Sequence, residues 1–140
     1  MSADRHFLDT NIFVYTFDVN AKAKAKRAED LIHAALASGR GAISYQVVQE
    51  FVSVARRFRQ PLTFDQIRNY WENPLRPLLA VHSSPALIER ALTLSYVDRL
   101  SWFDALIVVA AQQSDCKVLY TEDLQHGRRF GDLVVQNPFL

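Results

Sequence analysis

Short apolar runs alternate with longer stretches of helical periodicity along the whole chain, and this alternation limits the fold more than any other feature. The runs are His6-Phe7-Leu8, Gly41-Ala42-Ile43-Ser44, Leu78 to Val81, Lys117 to Tyr120, and Leu133-Val134-Val135 ahead of Asn137-Pro138. They are too short and too apolar to show a solvent face, as expected of strands covered on both sides. Ile12 to Tyr15 carries the apolar content of the first run into the next turn. Between the runs, Ala21 to Ser38 is rich in Ala, Lys, Leu and Glu and stops at Gly39, which predicts a helix with a glycine C-terminus. Gln46 to Phe58 places Val47, Val48, Phe51, Val52, Val54 and Ala55 at helical spacing. Thr63 to Trp71 reads as a short helix with Thr63 as N-cap and Asn73-Pro74 as its end, and Pro85 to Tyr96 as a helix entered through Ser84. A last helix opens at Ser101; its interior, Ala105 to Ala111, is apolar on every side and is therefore expected to be buried. The pattern predicts an α/β fold, a parallel sheet flanked by helices in a three-layer sandwich, with sites at the carboxyl ends of the strands.

At 140 residues with 49% of them hydrophobic, the chain suits one core, and a single domain over residues 1–140 is expected. Sixteen Lys and Arg against fifteen Asp and Glu leave a net charge of +1, so contact with nucleic acid would depend on local patches. Cys116, the single cysteine, has no partner for an internal disulfide and reads as a small core residue. Met1 to Arg5 is polar and lacks the pattern of a secretion signal, and no run approaches the roughly 20 apolar residues of a membrane span. A soluble, cytoplasmic protein without membrane contact is the expectation.

Four carboxylates occupy unusual places. Asp9 directly follows the first strand and is trailed by Thr10-Asn11, which would project it from the strand's carboxyl end, although capping of the next turn is an alternative role. Asp104 shares a helix face with Ile107, Val108 and Ala111, and a carboxylate there is costly unless paired or bound to a metal. Ser101-Trp102-Phe103-Asp104 also fits a capping box, and the two roles are compatible. Glu50 stands at the boundary of its helix's buried face, which is equally an ordinary amphipathic edge. Asp123, in Thr121-Glu122-Asp123, follows another strand, where a turn or cap role is the alternative.

Together these acids would meet at one edge of a parallel sheet, where like charges repel unless a hard divalent cation with oxygen ligands, Mg²⁺ or Mn²⁺, offsets them. His6, His33, His82 and His126 are scattered and show no zinc spacing.

Phe7-Leu8-Asp9-Thr10-Asn11-Ile12, Gln49-Glu50-Phe51, Leu100 to Ile107 and Leu119 to Gly127, closed by Val134 to Phe139, follow in an order that resembles the PIN-domain ribonucleases over essentially the whole chain. More narrowly, it resembles the VapC-type toxins of prokaryotic toxin–antitoxin pairs. Gln49 stands where many of those proteins have Asn, which bears on the orientation of Glu50. The resemblance implies a PIN fold and Mg²⁺- or Mn²⁺-dependent cleavage of single-stranded or structured RNA by metal-activated water. It assigns Asp9, Glu50, Asp104 and Asp123 to the catalytic and metal-binding set, with Asn11 and Thr121 behind them; Glu122 ranks lower, because adjacent residues rarely enter one site. A cognate antitoxin, in a homodimer or a toxin–antitoxin hetero-oligomer, is the implied protein partner. Arg56, Arg57 and Arg59 after Glu50, and Arg128 and Arg129 after Asp123, are placed to meet flanking phosphates, or are simply solvated. Tyr15, Tyr45 and Trp71 are candidates for base stacking, with core or interface roles as the simpler reading. Two other functions fit the same acids: an aspartyl-phosphate phosphotransferase using Asp9, which would favour a second acid where Asn11 stands, and a degenerate PIN domain that only binds RNA or protein.

Overall fold

The structure is a computed structural model that describes residues 4–140; the polar lead-in at residues 1–3 lies outside the described residues. Strand β1 (Arg5–Leu8) runs into a short helix α1 (Thr10–Tyr15), then α2 (Lys22–Ser38), β2 (Gly41–Ser44) and α3 (Tyr45–Ala55). After α4 (Phe64–Tyr70), a wide helical turn (Trp71–Leu75) and α5 (Arg76–Leu78) lead to β3 (Leu79–Val81). The paired helices α6 (Pro85–Val97) and α7 (Trp102–Gln113) then precede β4 (Cys116–Tyr120), β5 (Arg129–Phe130) and β6 (Leu133–Gln136).

Local signals account for most boundaries. Gly39 ends α2 in the left-handed region at φ 67°, its amide donating to the Leu36 carbonyl. Gly41 is required by packing instead: a Cβ there would collide with Ala35, where α2 crosses the start of β2. Thr63 caps α4 through a full capping box with Gln66, and the Ser84 hydroxyl accepts from the Leu87 amide at the start of α6. In α7, Ala105 and Ile107 to Ala111 are all buried, as the all-round apolar sequence requires. Cys116 is buried at the head of β4, which pushes its thiol upward.

The six strands lie in the order β3-β2-β1-β4-β6-β5. All neighbours are parallel except β5 and β6. From β1 the chain steps outward to β2 and β3, then returns through α6 and α7 to β4 on the other side of β1. With right-handed crossovers, these opposite steps place α2 and α7 on opposite faces of the sheet. The switch of direction falls between β1 and β4, and in open sheets of this kind the crevice outside the carboxyl ends at that point is where ligands bind.

Three boundaries differ from the sequence reading. Helix α3 ends at Ala55 rather than Phe58, because the Arg57 amide tightens onto the Val54 carbonyl three residues back and the Leu62 amide takes the Ala55 carbonyl. The helical path does break at Asn73-Pro74, where Asn73 is extended at φ −160° and ψ 117°, but the break lies inside a wide turn and a further short helix, α5, follows immediately. Strand β5 is an antiparallel edge strand that periodicity cannot register in two residues. Its signal is the Gly131-Asp132 pair between Phe130 and Leu133, a two-residue hairpin loop with Gly131 at φ 61°. Among the described residues, no helix is long and apolar enough to cross a membrane.

Candidate active site

The register of the two central strands brings Asp9 and Thr121 to the same level. Leu8 pairs with Tyr120, and the Asp9 amide continues the ladder to the Tyr120 carbonyl at 3.0 Å. Asp9 therefore leaves β1 beside the residue that leaves β4, and the Thr121 hydroxyl donates to Asp9 Oδ2 at 2.8 Å. Asp9 Oδ1 accepts from the Thr10 amide at 2.7 Å, so the residue also caps α1. The cap of α1 and the place at the carboxyl end of β1 coincide in one side chain.

Asp9 is 6% exposed and, among the described residues, pairs with no cation. Burial pushes its carboxyl up to about 7. The two hydrogen bonds hold it down in part, while the charges of Asp123 and Glu50 raise it further. Asp123 is also raised, first by burial and then by Asp104. The four acids thus form a chain of neighbours, Glu50 to Asp9 to Asp123 to Asp104, each raising the next or raised by it.

Glu50 approaches from α3, half-buried, its Oε1 accepting from the Thr10 hydroxyl at 3.2 Å and from Gln46 Nε2 at 3.0 Å. The same Gln46 nitrogen reaches the Phe103 carbonyl at 3.3 Å, tying α3 to the first turn of α7 where Asp104 sits. Gln46 and Thr10 are the orienting partners of Glu50; the sequence reading had looked to Gln49 for this. The missed signal is the one-turn spacing from Gln46 to Glu50 on a helix. Asp104 is half-buried rather than turned wholly inward with Ile107 and Val108. Only half of its capping box forms: the Asp104 amide donates to Ser101 Oγ at 3.2 Å, and its carboxylate makes no return bond to Ser101.

Asn11 has both side-chain amide atoms buried without a hydrogen-bond partner. Its amide lies close enough to Asp123 to hold that carboxyl down somewhat, but not in hydrogen-bond geometry. Glu122 turns elsewhere, accepting from the Tyr15 hydroxyl at 2.7 Å and pairing with Lys24 at 3.0 Å.

The arginines are not drawn to the acids. Arg56 and Arg57 are exposed past the end of α3, about 9 Å along the helix direction from Glu50. Arg57 folds back onto the Ser53 carbonyl. Arg128 donates to the Asp98 carbonyl and lies over the Phe130 ring. Arg129 pairs with Val134 on β5, level with Val118 and His6, near the amino ends of the parallel strands. Tyr45 is exposed beside His82, and Trp71 packs on the core.

Among the described residues, no three His, Cys, Asp or Glu side chains stand together as a ready-made ligand group. The donor set nevertheless suits a hard dication: it is all oxygen, it carries uncompensated negative charge, and the buried amide of Asn11 lacks a partner.

Comparison with known proteins agrees with this architecture. No curated protein matches the chain by sequence. Among solved structures, a toxin–antitoxin complex from Klebsiella pneumoniae matches with a TM-score of 0.70 at 21% identity, covering 95% of this chain and 97% of that one. The sarcin–ricin loop cleaving toxin VapC20 of Mycobacterium tuberculosis matches with a TM-score of 0.61 at 19% identity, covering 84% and 89%. VapBC2 from Rickettsia felis, bound to a fragment of promoter DNA, matches with a TM-score of 0.60 at 19% identity, covering 94% and 96%. At these identities the likeness speaks for the fold. The PIN domain profile matches residues 6–129, from β1 through β4 and including Asp9, Glu50, Asp104 and Asp123, and the chain belongs to the PIN-domain family.

Proposed function

We propose that the protein is a Mg²⁺- or Mn²⁺-dependent endoribonuclease and the toxin of a type II toxin–antitoxin pair. The observation that carries the nuclease reading is Asp9, a buried carboxyl held by Thr10 and Thr121 at the carboxyl ends of β1 and β4, with Asp123 and Glu50 near enough to raise it and no paired cation among the described residues. Isolated buried charge of this kind is costly and is typical of sites that recruit a cation.

Asp9, Glu50, Asp104 and Asp123 would hold the ion. A bound dication there supplies an activated water and charge stabilisation for phosphodiester cleavage. The chain's own residues set the stage for that chemistry. Thr121 and the Thr10 amide fix both oxygens of Asp9, and Thr10 and Gln46 fix Glu50, so two of the acids are oriented before anything binds. Asn11 offers a buried donor and acceptor to water or to a phosphate oxygen entering between Asp9 and Asp123. RNA is the proposed substrate because PIN proteins of this shape include an RNA-cleaving toxin. Phosphate contacts fall to Arg56 and Arg57; Arg128 and Arg129 are better placed for structure than for substrate.

An antitoxin is the proposed protein partner, in line with the complexes formed by the similar toxins. A protein-binding face is available on α6, where Ile88, Leu92 and Tyr96 recur at one-turn spacing and are exposed, Tyr96 by 83%. We assign this face to self-association in a homodimer or a toxin–antitoxin hetero-oligomer.

Incubation of the purified protein with cellular RNA tests the nuclease reading. Cleavage should stop in EDTA and resume with Mn²⁺, and Asp9→Asn should lower the rate at least about 100-fold with an unchanged circular dichroism spectrum. Cleavage that survives EDTA, or an Asn variant cutting at the normal rate, overturns it.

A further inference from the structure

We infer that Lys24 is a positioning residue for the acidic site: it draws Glu122 away, so that Asp123 alone of the two adjacent carboxylates after β4 faces Asp9. The inference rests on the dication reading above for what the site holds, and on the side-chain geometry for everything else.

Two neighbouring acids on one loop compete for the same place. The structure resolves the competition by occupying both oxygens of Glu122: Oε1 accepts from the Tyr15 hydroxyl at 2.7 Å and Oε2 from Lys24 Nζ at 3.0 Å. Lys24 is the hub of this cluster. Its ammonium also touches the Tyr15 hydroxyl at 3.2 Å and stands over the rings of Tyr15 at 4.9 Å and Phe139 at 5.5 Å, which pack edge to face on each other. Four separate segments meet there: the end of α1, the first turn of α2, the loop after β4, and the C-terminal tail.

The loop is held on its other side by Thr121. That hydroxyl donates to Asp9 and accepts from the Asp123 amide at 3.1 Å. Residues 121 and 122 are therefore pinned in different directions, which leaves Asp123 little freedom. Helix α1 joins the two pins, since it begins at the Asp9 cap and ends at Tyr15. The pair itself is partly exposed, at 42% for the Lys24 side chain and 30% for Glu122, so its worth lies in placement more than in stability.

Charge and placement predict opposite results when Lys24 is removed. Loss of a nearby cation should by Coulomb's law strengthen the binding of Mn²⁺. Loss of placement should weaken it, because Glu122 and Asp123 are then free to exchange positions. Mn²⁺ titration calorimetry on the whole protein, with Mn²⁺ alone as the probe, separates the two. Lys24→Met should weaken binding by about tenfold, as loss of a supporting residue commonly does. Lys24→Arg, which keeps the cation, should restore it. The double variant Lys24→Met with Glu122→Gln, which removes the competing charge, should recover most of the loss, a non-additivity that a merely structural lysine would not show.

Amide hydrogen exchange in EDTA reads the same device without metal: Lys24→Met should speed exchange at residues 121–124 while β1 and α7 stay protected. Unchanged or tighter Mn²⁺ binding in Lys24→Met overturns the inference, as does unchanged exchange in that loop. Absence of Mn²⁺ binding by the wild type would instead overturn the dication reading, and the exchange result would then decide the role of Lys24 alone.

Discussion

Asp9 and Glu122 are both carboxylates gripped by a hydroxyl, at 2.8 Å from Thr121 and 2.7 Å from Tyr15, yet they are driven in opposite directions. Burial raises Asp9 to about 7, whereas the Tyr15 hydroxyl and then Lys24 hold Glu122 below its usual range. The hydrogen bonds are alike, so they do not make the difference. What separates the two places is burial and a cation: Glu122 is half-buried and has Lys24, while Asp9 is buried and the charges that act on it are those of Asp123 and Glu50. One cluster is paired within the chain, and the other carries like charges with no paired cation among the described residues.

The sharpest way to break this comparison is to remove the charge of Asp9. Its carboxyl moves from 3.8 when exposed to about 7 in the fold, so the fold favours the protonated form. Below pH 3.8 the group is neutral in both states and costs nothing. As pH rises from about 4 to 7, the unfolded chain ionises and the folded chain resists, and stability falls by up to roughly 4 kcal/mol before levelling off. Asp9→Asn removes this slope. Asn cannot accept from both Thr10 and Thr121 as the acid does, which subtracts about 1–3 kcal/mol at every pH. In EDTA, the variant should therefore be less stable than the wild type near pH 4 and at least as stable at pH 8. Urea unfolding across that range checks it, and a difference independent of pH would mean that Asp9 ionises without penalty.

The parts of the site visible in the sequence are those marked by local chemistry. Asp9 after β1 and Asp123 after β4 follow from where strands end, and the buried α7 follows from a helix apolar on every side. Gly39 and Thr63 announce helix ends through backbone and capping preferences. The Lys24–Glu122 pair was not legible, since it spans 98 positions and Lys24 lies in an Ala-Lys run where it looks like any solvated helix charge. Arg128, held on the Asp98 carbonyl, and Arg129 lie in places that sequence order does not reveal. Their nearness in sequence to Asp123 suggested nearness in space, but the chain turns into the β5–β6 hairpin and carries Arg129 toward the other end of the sheet. The sequence ranked Glu122 below Asp123 on the rule that neighbours point apart; the structure supplies the partners that hold Glu122 elsewhere.

A smaller effect is expected at Asp104, where metal binding and capping make different demands. The carboxylate makes no return bond to Ser101, and it raises Asp123 by its charge. Asp104→Asn should thus cost nothing in EDTA and stabilise the protein by about 1 kcal/mol through relief of repulsion at an intermediate dielectric. Excess Mn²⁺ should stabilise the wild type by mass action and this variant much less. Ser101→Ala is the matching control: its hydroxyl is the actual cap, so its loss should cost about 1 kcal/mol with or without Mn²⁺. Thermal melts of both variants in the two conditions decide between the roles. If Asp104→Asn is destabilised equally in EDTA and Mn²⁺, Asp104 is not a ligand.

The smallest change is expected on the completed side of the comparison. Glu122→Gln keeps an oxygen for the Tyr15 hydroxyl or for Lys24 and removes only the charge. Partly exposed ion pairs contribute about 0–1 kcal/mol, so the loss should stay within that range and shrink further in high salt, where the pair is screened. The folded-state carboxyl lies below its ordinary value, so whatever it contributes is present above that value and is lost as pH falls through the folded one. Wild type and Glu122→Gln should therefore converge in stability in the acid range, the reverse of Asp9→Asn, where the wild type is favoured in acid. Denaturation of both proteins at pH 3 and pH 7, at low and high salt, measures this. A loss well above 1 kcal/mol that persists in high salt would show that the pair behaves as a buried one and that the two acids differ less in environment than their opposite shifts imply.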